Sequence, residues 1–381
     1  MLVYLGICAV LAFIAALTAV HLAVPPAPTF HLAFAAGAMP LIFGAIIHFV
    51  PVLTRTGAPV RAILYLPLPV QLAGIVTPLA LAGVLPNWSL HAAATLTVLA
   101  ALVLVVWLAR RLRVTLGVPH PGARWYGAAL LCLFFAVSLV PVWLAQPELR
   151  GALRIFHLHL NTLGFIGLAA LGTLPVLLPT VMGRPDPAAA GRLRRDLPIA
   201  AAGAVLVAAG ASGAVWLAYC GAVLLLWVAG RNLLAWQRTF GIAAIVGTGA
   251  PAPLAAATLG FVLLMLLGIA HGAGVLTARP AIAGFIAAFL LPLVTGALSQ
   301  LLPVWRHPGS NSPQRRMLQR RLAWGGRLRA VFFLAGGALL ALDIVHGWVP
   351  VAIALFLFVV AICVAIWLDT SRFSDDNSRP I

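Results

Sequence analysis

Charge is what this chain lacks most. Only seven residues are acidic, lysine is absent, and charged residues of all kinds make up 8% of its 381 positions. Soluble domains carry about a quarter charged residues. A water-soluble globule is therefore excluded, and with it the usual soluble catalytic motifs: there is no P-loop, no Gly-x-Ser-x-Gly and no His-Glu-x-x-His. No acidic residue falls in the middle of an expected span, so the deep carboxylate relay of a proton pump or proton-coupled carrier is missing. The four cysteines (Cys8, Cys132, Cys220, Cys363) stand alone. No Cys-x-x-Cys or Cys-x-x-Cys-His is present, which excludes a thiolate metal site and covalent c-type heme attachment. Each is read as a small apolar packing residue.

What is present is apolar. Hydrophobic residues reach 63%, in stretches of about 20 residues, long enough to cross a bilayer as helices. These stretches predict helices near 2–24, 29–51, 62–85, 88–109, 125–146, 152–180, 195–212, 213–231, 252–274, 279–304, 326–345 and 348–368. Near Ser212 one long apolar run must hold two short helices. The fold class expected is an all-α polytopic membrane bundle of about twelve transmembrane helices, forming one membrane domain with the lipid bilayer as its first partner. The polar tail, 371–381, is expected to fray.

The formal charge of +17 invites a nucleic-acid reading, which the positions of the arginines reject. Alternate connections place 19 arginines on one side: Arg55, Arg61, Arg110, Arg111, Arg113, Arg124, Arg184, Arg192, Arg194, Arg195, Arg231, Arg238, Arg306, Arg315, Arg316, Arg320, Arg321, Arg327 and Arg329. Three fall opposite, Arg150, Arg154 and Arg279, and Arg372 and Arg379 lie in the tail. Positive loops stay in the cytoplasm, so the expectation is a bacterial inner-membrane protein with both termini cytoplasmic. The first helix has no basic residue ahead of its apolar core and is expected to be retained rather than cleaved.

Three segments share one frame. His31, Gly44 and Pro51 recur as His159, Gly172 and Pro179, and again as Ala283, Gly296 and Pro303, each at offsets of +13 and +20. A tryptophan follows 44 residues after the glycine in two blocks, Trp88 and Trp216, and Trp348 stands 52 residues after Gly296 in the third. The reading is three parallel four-helix repeats, pseudo-threefold about the membrane normal, covering 1–115, 120–238 and 245–370. The prolines are expected to end or kink the second helix of each block. The glycines let a helix or a flat cofactor approach closely, which makes Gly37, Gly44, Gly167 and Gly172 candidate cofactor contacts.

On this topology seven of the ten histidines (His21, His31, His91, His157, His159, His271 and His346) gather toward the outer face. Ionisable side chains at bilayer depth point to function, and neutral imidazole ligates heme iron and copper. His157 and His159 are two residues apart, about 200° around a helix, so they face two sites flanking that helix rather than one ion. His31 is the natural partner for one of them. His31, His157, His159, His48 and His271 are the candidate metal ligands. Asn161, Gln71 and Gln300 read instead as hydrogen-bonding residues between helices.

Twelve helices in three quartets, with histidines on inner helices, resemble subunit I of the heme-copper oxidase superfamily. The segment HLHLNTLGFIGLAALGTLPVLLP (157–179) is similar to the helix carrying a His-x-His heme-ligand pair in C-type oxidases. HLAFAAGAMPLIFGAIIHFVPVLTRTG (31–57) and Gly183-Arg184 resemble NnrS-type membrane proteins. The resemblance implies a b-type heme, with copper as a second candidate, in an inner-membrane protein of nitric oxide or respiratory metabolism. It also implies a redox partner or membrane-complex subunit, and His31, His157 and His159 as ligands. The chain departs from the oxidases in having no histidine on its seventh or tenth helix, and from nitric oxide reductases in lacking their glutamates. Turnover therefore stays open at this point. Two other readings remain open beside it: a permease for a small solute or metal, and an assembly subunit whose basic loop 306–329 docks another protein.

Overall fold

The computed structural model describes residues 1–247, 249–277, 279–307, 309 and 312–376, with backbone alone for 368–376. All the regular structure among the described residues is helical. Twelve principal helices follow in order: α1 (Leu2–His21), α2 (Pro26–Thr54), α3 (Arg61–Leu81), α4 (Trp88–Arg113), α5 (Gly122–Ala145), α6 (Pro147–Met182), α7 (Ala189–Ala211), α8 (Val215–Phe240), α9 (Ala252–Gly272), α10 (Ala281–Arg306), α11 (Gly326–Ala341) and α12 (Trp348–Asp376).

Among the described residues ten helical stretches are long and apolar enough to cross a membrane, so the chain is a multi-pass membrane protein. The other two fall short for different reasons. α7 opens on Arg192, Arg194, Arg195 and Asp196, leaving 197–211 uncharged, about 22 Å at 1.5 Å per residue. α11 has 16 residues, about 24 Å against a hydrocarbon core of about 30 Å. The break expected near Ser212 is present: α7 ends at Ala211 and α8 begins at Val215. α12 runs on to Asp376, past the point where fraying was expected, and the rest of the tail lies outside the described residues.

The chain divides into two compact units. The first holds 1–176, 187–230 and 265–282; the second holds 177–186, 231–264 and the chain from Ala283 onward.

Three helices share an unusual interior. α2 changes from α to π geometry over Leu32–Ala38, α6 over Leu160–Gly167 and α10 over Phe285–Leu290. The π segments start one residue after His31, one after His159 and two after Ala283. A π turn hydrogen-bonds i to i+5, which leaves carbonyls short of partners and widens the helix. In α2, Gln71 of α3 donates from Nε2 to Ala36 O at 2.7 Å. In α6 the side chains of Asn161 and Thr162 donate to His157 O and Leu158 O, each at 2.9 Å. Gln71 therefore does bond between helices, whereas Asn161 serves its own.

Glycine explains how neighbours reach these π segments. A Cβ on Gly74 of α3 would strike Ala35 O, and one on Gly260 of α9 would strike Ala288 O. Only hydrogen fits there, and the close backbone approach suits Cα–H···O contacts. The glycines at +13 meet the first helix of their own block: Gly44 packs on Leu2 and Leu5, Gly172 on Trp125, and Gly296 on Pro253 and Leu254. Gly37 packs on Phe13 in the same way. These faces hold helix side chains. Gly167 is buried within the α6 π segment.

The prolines act later than the sequence suggests. α2, α6 and α10 each continue three residues past Pro51, Pro179 and Pro303. A proline removes one N–H, and a helix's last turn tolerates that loss. The three tryptophans of the frame, Trp88, Trp216 and Trp348, all lie in the first turn of a helix, α4, α8 and α12. Trp88 and Trp216 are more than 60% exposed, as expected of rings at a lipid–water boundary.

Candidate imidazole site

Four histidines are held in one chemical form. A backbone carbonyl can only accept, so a ring nitrogen bonded to one must carry the proton. His31 donates from Nδ1 to Ala27 O at 2.8 Å and His159 to Ile155 O at 2.9 Å. Both bonds reach four residues back along the histidine's own helix, immediately before the π segment. His157 donates from Nδ1 to Ala136 O of α5 at 2.8 Å, and His271 to Leu276 O at 2.8 Å. In the neutral form of each ring this bond leaves the lone pair on Nε2. This is the outer hydrogen bond that fixes tautomer and ring orientation in metal-binding histidines.

The four rings form two pairs. His31 and His157 have centroids 6.1 Å apart and planes 27° apart, too distant for van der Waals stacking. On the other side of α6, His271 of α9 lies close enough to His159 for electrostatic interaction. All four residues belong to the first unit. The structure thus brings His31 to His157 and separates His157 from His159, as their spacing on one helix requires. His48 joins neither pair: it lies 17 residues beyond His31 on the same helix, about 25 Å along it, and packs edge-on against Phe49.

The separation of the first pair tests the fit of a metal. An imidazole ligand places its ring centroid about 3.2 Å from the ion, from a bond of about 2.0–2.1 Å plus the half-width of the ring. Two rings on opposite sides of one ion would be about 6.4 Å apart, and two at a tetrahedral angle about 5.2 Å. At 6.1 Å the two rings stand within the range over which both could reach one ion, so His31 and His157 are the residues that would hold it. Among the described residues no three His, Cys, Asp or Glu side chains converge on a metal position, so a three-ligand copper centre gains no support.

Two neighbours escaped the sequence reading. Trp143, in the last turns of α5, meets the His157 ring edge to face at 5.1 Å and 84°. Arg154 lies within electrostatic reach of both His31 and His157. Its position had carried a signal, since it is one of three arginines on the side the others avoid. Trp143 carried none.

No family model matches the chain, and neither a curated protein nor a solved structure matches it.

Proposed function

We propose that this protein is a twelve-helix inner-membrane protein, built as three parallel blocks with cytoplasmic termini, that binds a b-type heme between His31 and His157. The carrying observation is that pair: two near-parallel imidazoles 6.1 Å apart, each tied through Nδ1 to a carbonyl so that Nε2 keeps its lone pair. The three π segments, the three +13 glycines against first helices and the three tryptophans opening fourth helices support the block reading. They also support counting α7 and α11 as spans.

His31 and His157 would hold the iron. Trp143 fixes one face of the His157 ring, and Arg154 offsets the charge of an anionic group at that end. Bound heme supplies a redox-active iron suited to electron transfer or small diatomic ligands. A role in nitric oxide or respiratory metabolism follows from the resemblance to NnrS-type proteins.

The test is optical. Purified protein supplied with heme should show a Soret band that shifts on reduction, with the low-spin signature of two imidazole ligands. His31→Ala and His157→Ala should each lose that signature, while His48→Ala should keep it. A folded protein that stays colourless after heme addition, or an unchanged spectrum in both single variants, overturns the proposal.

A further inference from the structure

A cavity lies in the second unit, at an arginine-rich end of the helices. It has a volume of about 370 Å³, and Arg320, Trp324, Gly326, Arg327, Leu328 and Leu357 are among the residues that line it. None of its lining residues is acidic. We propose that this cavity binds a phosphate-bearing anion.

Three features favour that ligand. Arg320 and Arg327 present exposed guanidinium groups, whose planar fork matches phosphate oxygens. The cavity also opens on the N-terminus of α11. The first i→i−4 bond of that helix runs from Arg329 N to Gly325 O at 2.9 Å, so the N–H groups of Gly326, Arg327 and Leu328 have no acceptor within the helix. Such an end, at the positive pole of the helix dipole, favours anions. Gly325 takes φ +67 and Gly326 lies against the Gly249 backbone, so the chain turns tightly enough to expose those groups. Three residues after Gly326, Arg329 is fully buried, and its Nε and Nη1 lack hydrogen-bond partners among the described residues. Its remaining contacts are Nη2 to Leu322 O at 2.8 Å and the Phe358 ring at 5.3 Å. The buried Arg329 guanidinium, two residues after the lining Arg327, thus has no carboxylate partner among the described residues.

Two sources share this chemistry: the headgroup of an anionic phospholipid, with Leu328 and Leu357 flanking its chains, and a free phosphate. The experiment separates them. Full-length protein in neutral detergent is titrated with inorganic phosphate, with tryptophan fluorescence as the readout. In parallel it is placed in nanodiscs of phosphatidylcholine with or without phosphatidylglycerol, and retained lipid is counted by native mass spectrometry. Binding in either arm, weakened about tenfold for each guanidinium removed in Arg320→Gln and Arg320→Gln/Arg327→Gln, supports the proposal and names the source. The exposed control Arg194→Gln should bind as the parent does. Arg320→Gln, on an exposed side chain, keeps the test decisive should the double variant not fold. No binding in either arm, or equal affinity in Arg320→Gln and Arg194→Gln, overturns it.

Discussion

Gln71→Glu isolates what the α2 π segment demands of its neighbour. Gln71 is 8% exposed, its Nε2 donates to Ala36 O at 2.7 Å, and its Oε1 has no partner among the described residues. At neutral pH a glutamate has the same shape but no donor, and it puts a buried carboxylate against a carbonyl oxygen. Loss of the bond and desolvation of the charge together should cost about 3 kcal/mol or more. At about 2–4 °C per kcal/mol for a unit of this size, that lowers Tm by about 6–12 °C. Gln71→Leu should cost less, about 1 kcal/mol, because losing the Ala36 bond is offset by removing the orphaned Oε1. The two variants also differ in pH dependence. Protonation removes the buried charge and gives the new carboxyl an O–H that donates to Ala36 O, so its penalty is relieved as pH falls toward the ordinary glutamate range near 4.3. Differential scanning fluorimetry in detergent at pH 7.5 and 5 should show Gln71→Glu recovering much of its lost Tm, with Gln71→Leu flat against the parent. A Gln71→Glu protein as stable as the parent at pH 7.5, or one indifferent to pH, would refute the claim that the π carbonyl depends on this donor.

Two glycines make a matched pair. Gly74→Ala should lower Tm sharply or abolish monodisperse expression, because its Cβ meets the backbone of Ala35 and Ala36. Gly151→Ala, with nothing within 4 Å, should be neutral or stabilising by up to about 1 kcal/mol. In the loop before α5, burial lowers the His120 pKa below its ordinary 6.5, and its Nδ1 accepts from Gly122 N at 3.2 Å. Folding therefore favours the neutral ring. Its contribution is fully present above pH 6.5 and is lost as pH falls through the lowered value. The protection of the Gly122 amide, taken relative to its intrinsic exchange rate at each pH, should fall on acidification in the parent and lose that dependence in His120→Asn.

Most helix positions were legible because apolar runs of bilayer length alternate with arginine-bearing loops, and neither signal needs tertiary knowledge. Opposed faces for His157 and His159 followed from helical spacing alone. The π segments were not legible: a change from i+4 to i+5 bonding leaves no periodic mark over six to eight residues, and only the recurrence of His, Gly and Pro offsets around them hinted at a shared special geometry. The glycines at +13 were visible as a pattern, but their purpose was not, since a sequence does not say whether a missing side chain makes room for a ligand or for Trp125. The carbonyls that hold the four Nδ1 atoms are backbone groups without sequence identity. The short apolar stretches of α7 and α11 show a further limit, because composition averaged over a chain hides how charges crowd one end of a particular helix.

His157 and His159 hang from one rod, a little more than half a turn apart. Any twist of α6 that brings one ring toward its partner must swing the other through a comparable arc. The orientations of the His31–His157 and His159–His271 pairs are therefore tied to each other through the rotation of a single helix.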